Sequence, residues 1–300
     1  MPLLLSLFAC MGAAAPPPQA AVDDAFWQHW GDGQAELSAY RLTQPRYGVE
    51  RSGTAVFVFV TEEFTSQQRV KSDGGHDDEF GVLKLNDMRD FQTGVYDYHT
   101  MTSAFLPVDG SLPVGLPTKV SLSVQEWCGH VYEQILVDEG GMRRVSHSYF
   151  DGEADRAGEL PRREGVFADA LPMVVRGLPV PLVEPGQSKT LPLFPRLMDG
   201  RFAHVDSAWT EATIRRQTAT HTRSVPAGDF EVVDVVVAVE GGRTTTWHVE
   251  SAAPHRIIAW ESDDGESAVL LGTMRSPYWQ LNGPEGERLL PQLGLGPGAR

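Results

Sequence analysis

The sequence predicts a mainly β protein: a large, strongly curved antiparallel sheet or open barrel, with a short N-terminal helix and one helix between its two halves. Three observations predict it. Runs such as Thr54–Val60 (TAVFVFV) and Phe230–Val239 (FEVVDVVVAV) are β-branched and aromatic, and too short for core helices. Turn signals at Asp138-Glu139-Gly140-Gly141, Gly241-Gly242 and Asp263-Asp264-Gly265 separate such runs at meander spacing. Hydrophobic residues at 41% and charged residues at 22% of 300 make a folded chain with enough apolar side chains for a substantial core. About a dozen antiparallel strands of this kind suggest a curled sheet. Two separate β domains meeting near residue 160 are the alternative.

The elements follow in order. Residues 1–21 read as a signal peptide, or lipoprotein signal, plus a tether: a short apolar segment precedes the small residues Gly12–Ala15 and three prolines. Leu7-Phe8-Ala9-Cys10 resembles a lipobox whose cysteine is acylated; cleavage near Ala13–Ala15 is the other outcome. Val22–Trp30 forms a helix capped by Asp23 or Asp24 and ended by Gly31-Asp32-Gly33. Strand candidates come next at Ala35–Leu42, Thr54–Val60, Gly81–Leu85 and Gly94–Phe105, with Asn86-Asp87 dividing the last two. Lys119–Val137 and Met142–Phe150 flank the Asp138–Gly141 turn, and Asp151–Arg163 is a polar loop. Val166–Gly177 is the second helix, with Pro172 at a kink or break. The prolines of Leu178–Pro195 make that stretch extended and irregular, before strands at Ser207–Gln217, Phe230–Val239, Arg243–Glu250, His255–Glu261 and Ser267–Arg275. Residues 22–282 thus form one β-rich domain with halves 22–158 and 159–282, and 283–300 a flexible tail.

The residues named so far carry two resemblances. Ala35–Gly48 (AELSAYRLTQPRYG), Val56–Phe64, Val82–Asn86 (VLKLN), Gly94–Ser103 (GVYDYHTMTS), Gln125–Tyr132 (QEWCGHVY) and Ser146–Asp155 (SHSYFDGEAD) resemble an uncharacterised family of exported bacterial proteins, sometimes labelled septum-formation inhibitors. Val225–Phe230 (VPAGDF) and Ala253–Ile257 (APHRI) are similar to periplasmic β-rich domains of unknown function that look like open-barrel lipoprotein carriers and lipocalins. Neither family has assigned catalytic residues.

Charge and motif content exclude several functions. A net charge of −15 with scattered basic residues disfavours nucleic acid and a polybasic membrane patch, leaving Cys10 as the route to a membrane anchor. Two cysteines make no disulfide framework. No Gly-x-Gly-x-x-Gly after a strand, Walker-type loop or Gly-x-Ser-x-Gly elbow is present.

One hairpin has chemical content. Alternation puts Glu126, Cys128, His130 and Tyr132 on one face of a strand. A two-residue loop after Asp138 brings His147, Tyr149, Asp151 and Glu153 to the same face; a three-residue loop puts Ser146, Ser148 and Phe150 there instead. Such a face suits the polar end of a ligand, a Cys128–His130 nucleophile, zinc held by Cys128, His130 and His147, or a structural hydrogen-bond network. The expected function is a non-enzymatic envelope protein, periplasmic or outer-envelope, that binds an apolar or amphipathic ligand such as a lipid. The alternatives are a Cys/His-centred enzyme or zinc protein, and a surface or assembly protein without a small ligand.

Overall fold

The computed structural model describes residues 22–138 and 140–296; the signal segment, Cys10 and residues 297–300 of the expected tail lie outside them. The N-terminal half contributes β1 (Ala35–Arg46), β2 (Val49–Thr65), β3 (Glu79–Thr93), β4 (Tyr96–Pro107), β5 (Lys119–Glu126), β6 (Gly129–Asp138), β7 (Gly141–Ser148) and β8 (Arg156–Leu160). The C-terminal half contributes β9 (Val166–Phe167), β10 (Ser188–Phe194), β11 (Thr210–Val225), β12 (Gly228–Val239), β13 (Thr244–Glu250), β14 (Ile257–Ser262) and β15 (Ser267–Ser276). All fifteen lie in one sheet, ordered β8 to β1 and then β15 down to β9. The halves join because β1 pairs with both β2 and β15. Neighbours are antiparallel except for the short parallel pair β9–β10.

Curvature follows from connectivity. The edge strands β8 and β9 are consecutive in the chain, with only residues 161–165 between them. Laid flat, fifteen strands at about 4.8 Å spacing would hold those edges roughly 67 Å apart, whereas the chain from Leu160 to Val166 reaches about 20 Å. The sheet must therefore curl. Across the gap, the Trp209 indole donates to the Pro161 carbonyl at 2.7 Å and Arg163 pairs with Glu211 at 2.6 Å.

The inner face is packed along alternating positions of each strand, with Tyr40, Phe57, Phe59, Leu83, Leu85, Val120, Leu122, Val235 and Trp260 in one core. Phe57 and Trp260 stack at 5.3 Å, and Trp247 stacks on Trp260 at 5.4 Å. The chain linking the halves fills the middle: Ala170, Met173, Val175 and Arg176 are all buried there. At the N-terminus, α1 (Asp24–Trp30) packs Phe26 and Trp30 on this core, with the Asp23 carboxylate capping the Phe26 N–H at 2.9 Å.

Several expected elements differ. Asn86-Asp87 does not divide two strands; β3 runs through it, because Asp87 is matched by Arg89 two residues on and facing the same way. The run 119–137 is broken by a turn at Trp127-Cys128, with Glu126 paired to Gly129. The second helix shrinks to a 3-10 turn (Ala168–Ala170) and α2 (Leu171–Val174), since Val166-Phe167 joins the sheet; an unexpected helix, α3 (Leu197–Ala203), follows β10. Pro172 causes no kink: it lies in the first turn of α2, where its missing N–H would have had no partner. The expected tail is ordered through Pro284–Leu293, a 3-10 helix with Leu293 buried against β15. Gly272 permits that contact, because a Cβ there would run into the Gln292 carbonyl.

Candidate ligand-binding cavity

The inner side of β1 connects two differently built ends of the curl. From one end to the other it presents Glu36, Ser38, Tyr40, Leu42 and Gln44, all buried. At the strand rise, Glu36 and Gln44 are roughly 27 Å apart.

At the Glu36 end the interior is closed. Arg176 donates two hydrogen bonds to the Glu36 carboxylate, at 2.7 and 2.9 Å, and a third to the Pro254 carbonyl at 3.0 Å. Its guanidinium lies 4.4 Å from the Phe59 ring centroid. Side-chain exposure is 0% for Arg176 and 2% for Glu36, so this pair is sealed. Nearby Tyr40 donates to the Ile257 carbonyl at 3.0 Å, and burial raises its phenol well above the usual range.

At the Gln44 end a half-open cavity of about 660 Å³ remains. Leu171, Leu193, Met198, Phe202, Val237 and Trp247 give it apolar walls. Charged groups line the remainder in a continuous network. Arg89 holds Asp87 at 2.9 Å and Glu266 at 3.1 Å; Arg196 holds Glu266 at 2.7 Å and Asp199 at 2.8 Å; Arg243 holds Asp199 at 2.9 Å and Asp264 at 3.1 Å. Burial pushes the Glu266 carboxyl up, but Arg196, Arg89 and Arg243 outweigh it and hold the group well below the usual carboxylate range. Asp199 is lowered for the same reason, with Arg196 and Arg243 overcoming burial.

Asp169 is different. It is buried, lines the cavity, and has no ion-pair partner among the described residues. It accepts one hydrogen bond, from the Leu197 N–H at 3.2 Å. Burial dominates and pushes its carboxyl up to about 7. An acid of this kind offers an O–H when protonated and a poorly solvated charge when not, so it favours a ligand group that donates a hydrogen bond.

The hairpin face expected from the sequence is formed only in part. Asp138 pairs with Gly141, leaving the two-residue loop, and the Asp138 carboxylate accepts the Gly140 and Gly141 N–H groups at 2.9 and 3.1 Å. Tyr132 lies opposite His147, and His130, Tyr132, His147 and Tyr149 share a shallow depression on the outer face of the sheet with Asp155. Cys128 is not on the strand; it is an exposed turn residue. That turn reverses the parity of β5 against β6, so Glu126 falls on the inward side with Val124 and not beside His130. Asp151 stands in an exposed loop, and Glu153 turns away to pair with His204 at 2.6 Å. The Glu126 side chain raises the Cys128 thiol above its ordinary value, the reverse of what a nucleophile needs. Donor atoms of Cys128, His130 and His147 do not converge; among the described residues the convergent group is His221, Asp234 and His248.

The cavity residues escaped the sequence reading, although parity carried a signal. Glu36 shares the inward phase of Tyr40 and Leu42, and Asp87 and Arg89 that of Leu85 and Phe91. Charged residues in the apolar phase of a strand mark either a buried pair or a lined cavity. Comparison with protein-family models, curated proteins and solved structures finds no match to this chain.

Proposed function

We propose that this chain is a non-enzymatic binding protein that takes an amphipathic small molecule into the cavity at the Gln44 end. One observation carries the reading: an interior otherwise packed with side chains keeps about 660 Å³ open, with apolar walls and a polar rim together. That size lies within the ordinary range for small-molecule pockets of about 300–1,000 Å³. Most charges around it, Asp169 apart, are already paired with one another, which suits orientation of a polar head. The apolar part of the ligand packs on Leu193, Met198, Val237 and Trp247. Its polar end meets Asp169, Gln44 and the Arg243 side of the network. A lipid or other acyl-chain compound has this chemistry. Export to the cell envelope, with an anchor on Cys10, belongs to the same proposal and rests on the N-terminal sequence pattern.

The test is native mass spectrometry of gently purified protein, followed by titration with a fluorescent acyl probe. A co-purified amphiphile, displaced by the probe, is expected. Val237→Trp and Leu193→Trp should each fill the cavity and abolish probe binding while the fold persists by circular dichroism. Ligand-free protein that ignores the probe overturns the proposal.

A further inference from the structure

On the outer face of the C-terminal half, four strands bring together residues far apart in sequence. Asp234 on β12 lies directly opposite His248 on β13. His221 on β11 is opposite Val232, so it sits diagonally from Asp234. On β14, Ala259 faces His248, which puts Glu261 on the next outward position. Cross-strand and diagonal neighbours on one face lie within reach of long side chains. His248 Nδ1 is 2.8 Å from Asp234 Oδ1, and His221 Nε2 is 3.8 Å from the same oxygen. The donor atoms of His221, Asp234 and His248 all lie within 4.8 Å of one another.

We propose that His221, Asp234 and His248 bind a divalent transition metal ion, with zinc the best fit. Bond lengths of about 2.0–2.1 Å in a tetrahedral zinc site put neighbouring donors roughly 3.3 Å apart. The 2.8 and 3.8 Å separations bracket that value, so small side-chain adjustments suffice. Two imidazoles and a carboxylate are a donor set matched to zinc and its neighbours, and poorly matched to calcium or magnesium.

The surroundings of His248 strengthen the assignment. The ring is buried, and its two nitrogens both face carboxylates: Nδ1 faces Asp234, and Nε2 faces Glu261 Oε1 at 3.1 Å. A neutral imidazole has only one N–H. The second nitrogen, its lone pair in the ring plane toward a carboxylate, is therefore placed to take a metal. With a metal on Nδ1, the Nε2–H donates to Glu261 and gives the carboxylate–histidine–metal arrangement that fixes ring orientation. Arg223 lies 3.8 Å from the other Glu261 oxygen and attracts the carboxylate toward this side of the sheet. His221 is partly exposed, which leaves a side of the site open for water or an outside ligand. The site is separate from the cavity: Asp234 and His248 point outward, whereas Val235, Val237 and Trp247 point in.

The test uses the full chain, stripped with a chelator and titrated with Zn²⁺ alone, then with Co²⁺ as a spectroscopic probe. One metal per chain and a visible Co²⁺ absorption band of tetrahedral type are expected. His221→Ala, chosen because its exposure spares the fold, and Asp234→Asn should abolish both signals. Glu261→Gln should weaken binding roughly 10- to 100-fold without abolishing it. Cys128→Ser and His147→Ala should bind as the parent does. Folded protein that takes up no metal, or uptake that survives His221→Ala and Asp234→Asn, overturns the proposal.

Discussion

The two ends of the curled sheet use one chemistry, guanidinium against carboxylate, for different ends. At Glu36 a single arginine meets a single carboxylate with both partners excluded from water and an aromatic ring beneath. At Gln44 three arginines and four carboxylates share contacts around open space, and a fifth carboxyl, Asp169, has no ion-pair partner among the described residues. A sealed pair can only hold the chain segment that carries Arg176 against the wall. A branched network beside a void keeps its geometry when one contact is exchanged for a contact to a guest. On the proposed function, position along one strand separates anchoring from recognition.

The largest expected effect breaks the closed end. Arg176→Ala leaves Glu36 charged and unpaired in the core, and removal of one member of a buried pair costs about 3–5 kcal/mol. Urea denaturation should show that loss. Arg176→Met combined with Glu36→Leu should recover most of it, since an apolar replacement of a buried pair is often nearly neutral. A single variant that unfolds at the parental midpoint would mean the pair does not anchor the segment.

Next comes the open end, where Asp169 makes a claim about pH. Its carboxyl is raised from 3.8 to about 7, so the folded protein binds this proton more tightly than the unfolded chain. Below about pH 4 both states hold the proton and the group contributes no penalty; as pH rises toward 7 the unfolded chain ionises first, and stability falls. Glu266 and Asp199 act with the opposite sign: their contribution is present at neutral pH and is lost on acidification. Asp169→Asn keeps an acceptor for the Leu197 N–H and removes the titration. The variant should exceed the parent by about 2–4 kcal/mol above pH 7 and match it near pH 4. Denaturation midpoints at the two pH values decide it; parallel curves for parent and variant would refute the burial argument.

The fold was legible in the sequence because patterning is local. TAVFVFV, FEVVDVVVAV and the Gly-rich turns specify strands and hairpins with no knowledge of partners; the strand number suggests a curl, and the short link between the edge strands requires it. The sites were less legible because each depends on parity, and parity depends on a loop count. The Asp138–Gly141 turn was read with its two-residue loop, so His130, Tyr132 and His147 were placed together on one face. The unread turn at Trp127-Cys128 removed Glu126 and Cys128 from that group. On the other half, Ala238 pairs with Thr244 across an odd-numbered connection, which puts Asp234 opposite His248; a two-residue loop at Gly241-Gly242 would have put Val249 there. Asn86-Asp87 misled for a related reason: an Asn-Asp dipeptide reads as a turn until Arg89 supplies the inward partner of Asp87.

A smaller effect sharpens the distinction between anchoring and recognition. Arg243 stands at the rim and shares its carboxylates with Arg196, so Arg243→Ala should cost about 1 kcal/mol or less in stability. If the rim orients a polar head, the same variant should weaken acyl-probe binding several-fold. Equal losses of stability and binding would make Arg243 a structural group like Arg176.

The smallest effect is a control for the premise that burial drives these shifts. Cys128 stands in an exposed turn, and its thiol is raised by contact with the Glu126 side chain, whose carboxylate also accepts the Cys128 N–H at 3.0 Å. No enclosure is involved, so removal of one neighbour should restore ordinary behaviour with the fold untouched. In a Cys10→Ser background, Cys128 should react slowly with a thiol reagent at neutral pH and speed up as pH rises, because the thiolate is the reacting form. Glu126→Gln should raise the neutral-pH rate several-fold and move the rate profile to lower pH, with no change in melting temperature. A rate already fast at pH 7 in the parent, or one indifferent to Glu126, would show that a thiolate is stabilised by something other than this contact. The nucleophilic reading of the Cys128–His130 pair would then regain its footing.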